Sequence, residues 1–162
     1  MKKLIWLAIL LFCGVLASAE NESRYTDNKN GTVTDFKTGL IWQKKDGGKM
    51  NWEEAKNYCT NLSLTGQSWR LPDSEELESL VDDKRYKPAI NTYYFPNTPS
   101  DWFWSSTPLA YGSSDAWVVR FIYGDTEYND KSHKNFVRCQ YDWPALIPAI
   151  DDLKEKIGFF RA

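Results

Sequence analysis

Side chains that catalyse reactions or bind metals are scarce in this chain. Its single histidine, His133, lies between Lys131 and Lys134, and neighbouring positive charges lower the basicity of an imidazole. A Ser–His–Asp triad needs a histidine that a carboxylate holds beside a nucleophile, so this setting argues against one. The chain also has no CxxC, HExxH or Gly-rich phosphate-binding motif. We therefore predict that the protein is not an enzyme.

The acidic residues do not indicate a catalytic or metal site either. The two carboxylates of a glycosidase must face each other across a cleft. Residues that are adjacent in sequence, such as Glu75-Glu76 and Asp82-Asp83, do not face each other. These pairs therefore indicate a solvated surface. Zinc needs three or four Cys, His or carboxylate ligands, and we predict no metal and no cofactor. Calcium is the alternative, because Asp125 and Asn129-Asp130 stand near a strand end, although without EF-hand spacing.

Aromatic side chains are the most prominent chemical feature. They make up 15% of the chain, which has eight tryptophans and nine tyrosines. One small core does not easily hide so many large rings, so some are expected at the surface. A ring with an apolar body and a polar edge suits ligand recognition there.

The N-terminus predicts export. Met1-Lys2-Lys3 is a positive start, residues 4–16 are almost entirely apolar, and Ala17-Ser18-Ala19 offers small residues for a signal peptidase. Residues 1–19 are therefore interpreted as a signal peptide, and the protein as periplasmic, secreted or attached to the cell surface. An uncleaved anchor is the alternative, and a lipoprotein signal at Cys13 is disfavoured by the bulky Phe12 before it.

Removal of residues 1–19 leaves one domain, 20–142, and a C-terminal tail, 143–162. The whole chain has a net charge of -2, and cleavage makes it more acidic. Sequence-independent binding of nucleic acid depends on clustered Lys and Arg, so we predict no nucleic-acid partner. No second apolar stretch is long enough to span a membrane after cleavage.

Two cysteines remain after signal cleavage, Cys59 and Cys139. In an oxidising compartment a disulfide between them is the natural interpretation, and two buried free thiols are the alternative.

Two helices are predicted from residues that can cap their N-termini. Asn51 with Glu54, and Asp73 with Glu76, have the spacing of N-terminal capping boxes. The first helix is predicted over 51–62.

Short strands and turns surround these helices. Strand patterns occur at 40–42, 102–106, 116–122 and 136–139, and the Pro-rich segment 84–101 is predicted to be a long irregular loop. The fold class is α+β, with two helices packed on small antiparallel sheets.

The tail has a different pattern. Ile150, Leu153, Ile157 and Phe160 form one stripe of an amphipathic helix. Packing of this helix on the domain is favoured over an oligomer contact.

Several motifs in a fixed order resemble the Lcl C-terminal domain family of bacterial exported domains. They begin with Asn30-Gly31-Thr32-Val33-Thr34-Asp35 and Thr38-Gly39-Leu40-Ile41-Trp42-Gln43, and continue with Trp69-Arg70-Leu71-Pro72, Trp104-Ser105-Ser106-Thr107 and Val137-Arg138-Cys139. The resemblance implies a C-type-lectin-like fold. It also implies a bridge from a cysteine of the first helix to the last strand, which Cys59 and Cys139 match, and an adhesin-like role on sulfated glycans.

We therefore predict an exported ligand-binding module that recognises carbohydrate, such as a sulfated glycan, or another cell-surface ligand. Aromatic faces stack on sugar rings, and amide and ammonium groups fix hydroxyls or sulfates. The candidate ligand-binding residues are Trp102, Trp104, Tyr111, Tyr123, Tyr128, Asn129, Lys131 and Lys134. For Trp104 and for Trp117 a core position is the favoured alternative. Lys84, Arg85 and Lys87 form a second, basic candidate, for which the alternative is a solvated loop.

The alternative function is a structural or assembly protein. It would bind a protein partner, or a second copy of itself as a homo-oligomer, through exposed aromatics and the tail helix.

Overall fold

The structure is a computed structural model that describes residues 23–142. The predicted signal peptide, 1–19, and the predicted tail helix, 143–162, lie outside the described residues. Within residues 23–142, no helix has the length and apolar character needed to cross a membrane.

Two small sheets, two α-helices and one short 3₁₀ helix (Leu64–Gly66) make up the described part of the domain. The helices are α1 (Trp52–Thr60) and α2 (Ser74–Glu78). The strands are β1 (Tyr25–Asp27), β2 (Thr32–Asp35), β3 (Leu40–Gln43), β4 (Lys49–Met50), β5 (Trp102–Leu109), β6 (Gly112–Arg120), β7 (Asp125–Asp130), β8 (Asn135–Phe136) and β9 (Gln140–Asp142). One sheet has the order β1-β2-β3-β9 and the other β4-β8-β5-β6-β7. All pairings are antiparallel except β5 with β8, and the α+β class is confirmed.

Helix α1 begins where the sequence predicts. The Asn51 side chain accepts a hydrogen bond from the Glu54 N–H at 3.0 Å, and the Glu54 carboxylate accepts one from the Asn51 N–H at 2.9 Å. This reciprocal box satisfies two N–H groups that a helix start otherwise leaves without partners. Trp52, Ala55 and Cys59 are buried along one face, so the helix presents its cysteine to the core.

The bridge that the sequence predicts is present. The sulfur atoms of Cys59 and Cys139 are 2.05 Å apart, and both residues are completely buried. They join α1 to the segment before β9 and lie in a core cluster with Trp69, Trp104 and Val118. A second core cluster, on the other side of β5, contains Trp42, Leu77, Phe95, Phe103 and Phe121.

Helix α2 is fixed by an ion pair as well as by its cap. The Asp73 side chain accepts from the Glu76 N–H at 2.8 Å, as predicted. Arg70 donates two hydrogen bonds to the Glu76 carboxylate, at 2.7 and 2.6 Å, and Gln140 adds one at 3.2 Å. Burial acts to raise the pKa of Glu76, but the hydrogen bonds from Arg70 and from the Asp73 N–H outweigh it, so the pKa lies below its ordinary value.

We expect Glu76→Gln to lower the free energy of unfolding by about 2 kcal/mol at neutral pH, because it breaks a bidentate charged pair. A carboxyl with a depressed folded pKa stabilises the fold above its unfolded pKa, and this contribution is lost as the pH falls through the folded pKa. The difference between the wild type and the variant should therefore shrink below about pH 4.5, the ordinary value for a glutamate. Urea unfolding at several pH values measures this; a difference that does not change with pH would contradict it.

The segment between α2 and β5 has no helix or strand, as predicted, apart from an isolated bridge between Val81 and Ile90. It is nevertheless anchored, because Ile90 and Phe95 are completely buried.

Strand β6 differs from its predicted range: it begins at Gly112 and ends at Arg120 rather than at Ile122. The chain turns after Arg120, where the N–H groups of Tyr123 and Gly124 both bond to the Arg120 carbonyl.

Arg138 is a buried cation that the sequence did not reveal. Its side chain is inaccessible to solvent and donates to the carbonyls of Gln43 and Lys44 at 2.7 and 2.6 Å, and to the Thr98 hydroxyl at 2.8 Å. The guanidinium lies 4.9 Å from the ring centre of Phe95. Burial lowers the pKa of Arg138 to about 10, so it stays charged at neutral pH and ties the end of β3 to the long irregular segment.

Candidate functional site

A shallow open depression lies where β5 begins and β7 ends, and we call it the Trp102 depression. Its volume is about 490 Å³. The residues around it come from β5, from β7 and from the turn into β8. They are Asp101, Trp102, Asn129, His133, Lys134 and Asn135.

The parallel pairing of β8 with β5, and a side-chain hydrogen bond from the end of β7, bring these residues together. Strand β8 pairs in parallel with β5 through Phe103 and Phe136, so the residues before them, Trp102 and Asn135, lie near each other. Asn129 reaches the same place from β7, and its side-chain N–H₂ donates to the Asn135 side-chain oxygen at 3.3 Å. Three separate stretches of sequence thus contribute to one surface.

The turn between β7 and β8 is held by short local contacts. The Asp130 carboxylate accepts from the hydroxyl and from the N–H of Ser132, at 2.6 and 2.8 Å, and these bonds lower the pKa of Asp130. His133 Nδ1 lies 2.7 Å from the Asn129 side-chain oxygen. The imidazole is therefore fixed at the border of the depression.

Asn135 carries the donor that distinguishes this surface. The residue is only 5% exposed, and its Nδ2 has no hydrogen-bond partner within residues 23–142. A buried donor left without a partner costs about 1–3 kcal/mol, so an acceptor that reached this nitrogen would recover part of that free energy. The depression therefore has a buried amide donor beside an aromatic ring.

Asp101 supplies acceptors and Lys134 a further donor. One Asp101 carboxylate oxygen accepts from the Trp102 N–H at 2.8 Å, and the other pairs with Lys49 at 2.7 Å. The carboxylate is about a third exposed, so it can accept further hydrogen bonds. Lys134 is exposed, and its ammonium has no ion-pair partner among the described residues. Donors, acceptors and an apolar ring thus surround one concave surface.

The eight candidate residues do not form one site. Trp102, Asn129 and Lys134 border the Trp102 depression. Tyr111 and Tyr123 are exposed in the turns at opposite ends of β6, and neither borders it. Tyr128 is half exposed and packs edge-on against Trp117, with ring centres 6.4 Å apart.

Two of the candidates pack elsewhere. Trp104 is completely buried and donates its indole N–H to the Met50 carbonyl at 3.0 Å. The structure therefore corrects its inclusion among the ligand-binding residues and agrees with its core alternative, because no face of the ring reaches solvent. Lys131 lies over the Trp52 ring, 4.6 Å from its centre, and does not border the depression.

Sequence reasoning missed Asp101, His133 and Asn135 as parts of this surface. His133 was weighed only as a catalytic base, and its surroundings argued against that role. Asn135 has no local signal, because its burial depends on the pairing of β8 with β4 and β5.

The structure does not bring the residues of the calcium alternative together. Asp125 and Asp130 stand at opposite ends of β7, about 16 Å apart at the ordinary rise of a strand. The Asp125 carboxylate is paired with Arg120, which lowers the pKa of Asp125. No group of three or more His, Cys, Asp or Glu in the described part of the chain could hold a metal ion.

The structure does not bring Lys84, Arg85 and Lys87, the second candidate site, together around one surface. Arg85 pairs with Asp82 at 2.9 Å, and Lys87 is exposed. Lys84 borders a different depression beside β1. The three cations are thus near one another in sequence without surrounding one site.

Comparison with known proteins identifies the family. Among solved structures, the chain is similar to the crystal structure of botrocetin, with a TM-score of 0.45 and 10% identity over 74% of this chain and 96% of that one. The C-type-lectin-like topology stays a prediction. A search of curated proteins gives no match. The model of the Lcl C-terminal domain matches residues 31–140, which is most of the chain, and the protein therefore belongs to the Lcl C-terminal domain family.

Proposed function

We propose that this protein is an exported carbohydrate-binding module and that the Trp102 depression is its binding site. The observation that carries the proposal is the buried side-chain nitrogen of Asn135, which has no hydrogen-bond acceptor among the described residues, beside the ring of Trp102. Trp104 and the two turn tyrosines are not part of the proposed site.

A sugar ring matches this arrangement chemically. One face of a pyranose is apolar and stacks on an aromatic ring, while its hydroxyls both donate and accept hydrogen bonds. The Asn135 amide would donate to a sugar oxygen, and the Asp101 carboxylate would accept from a hydroxyl. Lys134 at the border would bind a second oxygen or a sulfate group.

The shape of the surface indicates how much of a glycan it contacts. An open depression contacts only a few sugar units of a glycan, so the affinity of this module for a single sugar unit should be low. Longer chains, or several copies of the module on one surface, would raise the apparent affinity by multivalency. This fits an adhesin-like role better than capture of a free monosaccharide.

Export is supported by two features. The predicted signal peptide sends the chain out of the cytoplasm, and the Cys59–Cys139 disulfide is of a kind that persists in oxidising compartments. Both are consistent with a periplasmic protein or one displayed outside the cell.

The test is binding of residues 20–162 to a panel of neutral and sulfated glycans, followed by calorimetry on those that bind. We expect Trp102→Ala and Lys134→Gln each to weaken binding, the first by at least tenfold because stacking is lost. Tyr111→Ala is the matched control, since it removes a fully exposed aromatic ring that does not border the depression. Circular dichroism checks that each variant is folded.

Three possible results of this test lead to different conclusions. Binding to sulfated glycans that weakens with salt, and that Lys134→Gln makes less salt-dependent, assigns the sulfate to Lys134. Binding that Trp102→Ala leaves unchanged in a folded protein would reject this site. No binding to any glycan would reject the carbohydrate proposal.

A further inference from the structure

A second concave surface lies at the opposite sheet, along β1. Two adjoining depressions, of about 520 and 470 Å³, are both bordered by Ser23, Tyr25 and Tyr94. Every residue from 23 to 27 borders one or the other, and the facing wall comes from the irregular segment 81–94. Together they form one groove that follows the strand, and we call it the β1 groove.

The groove follows a free sheet edge. Strand β1 is at the end of the order β1-β2-β3-β9, and within residues 23–142 it pairs only with β2. The Phe36 N–H donates to the Arg24 carbonyl and the Asn28 N–H to the Thr32 carbonyl, so residues 24, 26 and 28 direct their backbone groups to β2. In an antiparallel pair the alternate residues face the other way.

The alternate residues, Tyr25 and Asp27, therefore direct their backbone groups into the groove. Neither N–H has a hydrogen-bond acceptor within residues 23–142. The Tyr25 carbonyl accepts from the Ser23 hydroxyl at 3.0 Å, and an oxygen has a second lone pair to offer. This pattern of donors and acceptors two residues apart is what an added strand requires.

The groove carries an excess of positive charge. Asp27 accepts from both Lys29 and Lys44, at 2.8 and 2.9 Å, and these bonds hold the pKa of Asp27 well below its usual range. Lys37 and Lys84 border the groove and have no ion-pair partner among the described residues. Asp83 also borders the groove, and its carboxylate has no ion-pair partner among the described residues.

The remaining lining charges cancel in pairs. Arg24 is bound by the buried Asp35 at 2.6 Å, and Asp82 is bound by Arg85 at 2.9 Å. The positive excess is therefore local, since the whole chain has a net charge of -2.

A rigid aromatic wall completes the groove. The Tyr94 hydroxyl lies 2.8 Å from the Ser23 hydroxyl, and its ring centre is 5.4 Å from that of Tyr25. Tyr93 packs edge-on against Tyr94 and is 81% exposed. Apolar side chains on one face of an added strand would contact these rings.

We propose that the β1 groove binds an extended acidic peptide segment of a partner protein by strand addition to β1. The main-chain groups of Tyr25 and Asp27 would pair with the peptide backbone, and Lys37 and Lys84 would pair with its carboxylates. A second copy of the chain fits less well, because its own β1 groove would bring the same positive excess. This inference is independent of carbohydrate binding at the Trp102 depression.

The probe is an acetylated and amidated peptide of four Glu-Val repeats, titrated into residues 20–162 by calorimetry and by NMR of the amide signals. We expect binding, with the Tyr25 and Asp27 amides shifted and protected from hydrogen exchange. The same peptide with alternate backbone nitrogens methylated keeps its charge but loses its donors, and it should bind at least tenfold more weakly. A Lys-Val peptide should not bind.

Charge-reversal variants test the residues. Lys37→Glu and Lys84→Glu should each weaken binding by about tenfold in low salt, whereas Lys134→Glu, the same change beside the Trp102 depression, should not. Equal binding of the methylated peptide, or an equal effect of all three variants, would overturn the proposal. So would protection of the Tyr25 and Asp27 amides in a dimer without peptide. None of these outcomes bears on glycan binding, which is measured separately.

Discussion

Replacing both Cys59 and Cys139 by alanine is expected to lower the free energy of unfolding by about 4 kcal/mol. The bridge joins residues that are 80 positions apart, and closing so long a loop removes much of the entropy of the unfolded chain. Both sulfur atoms are also completely buried in the cluster around Trp69 and Trp104, so their removal leaves unfilled space as well.

Urea unfolding monitored by tryptophan fluorescence measures this change. Reduction of the wild type by dithiothreitol is the matched control, because it breaks the bridge and keeps the sulfur atoms. The alanine variant should be somewhat less stable than the reduced wild type. A loss of less than about 1 kcal/mol would contradict the prediction and would mean that the unfolded chain is already compact.

Arg138→Met is expected to cost about 3 kcal/mol of stability, since each buried acceptor left without its donor costs roughly 1–3 kcal/mol. Methionine fills a similar volume but leaves the carbonyls of Gln43 and Lys44 and the Thr98 hydroxyl without this donor. Part of the cost is offset, because the buried guanidinium no longer has to be desolvated. The long irregular segment should become the most mobile part of the domain.

Arg138→Lys separates charge from geometry. Lysine keeps the positive charge but loses the planar group that reaches three acceptors and stacks on Phe95. It should be intermediate between the wild type and Arg138→Met in urea unfolding. If Arg138→Met is as stable as the wild type, the hydrogen bonds of Arg138 contribute no net stability and its role is not that of an anchor. Hydrogen exchange of residues 84–101 in Arg138→Met measures directly whether that segment becomes more mobile without the arginine.

The sequence determined the features that depend on near neighbours, on the number of cysteines or on the order of motifs. Asn51 and Glu54 are three residues apart, as are Asp73 and Glu76, and a capping box needs only that spacing, so both helix starts were predicted correctly. The pairing of Cys59 with Cys139 followed from the two cysteines that the predicted signal cleavage leaves. The family followed from several motifs in a fixed order, and the family match confirms it.

Other features depend on residues that are distant in sequence, and the sequence predicted them poorly. Trp104 was a candidate for ligand binding with a core position as the favoured alternative, and it is a core residue because α1 covers β5 on that side. Arg138 lies in a predicted strand pattern, but nothing in the sequence indicated that it is completely buried, because its three acceptors lie 40 or more positions away.

The candidate sites were decided by tertiary structure alone. Periodicity and composition identified aromatic, amide and ammonium groups suited to binding, but they could not show which of them meet. The parallel pairing of β8 with β5 places Asn135 beside Trp102, and the position of β1 at a sheet edge leaves the backbone of Tyr25 and Asp27 facing a groove. Local sequence sets which face of a helix or strand is apolar, whereas a site needs contacts between separate elements, and only the packed chain fixes those.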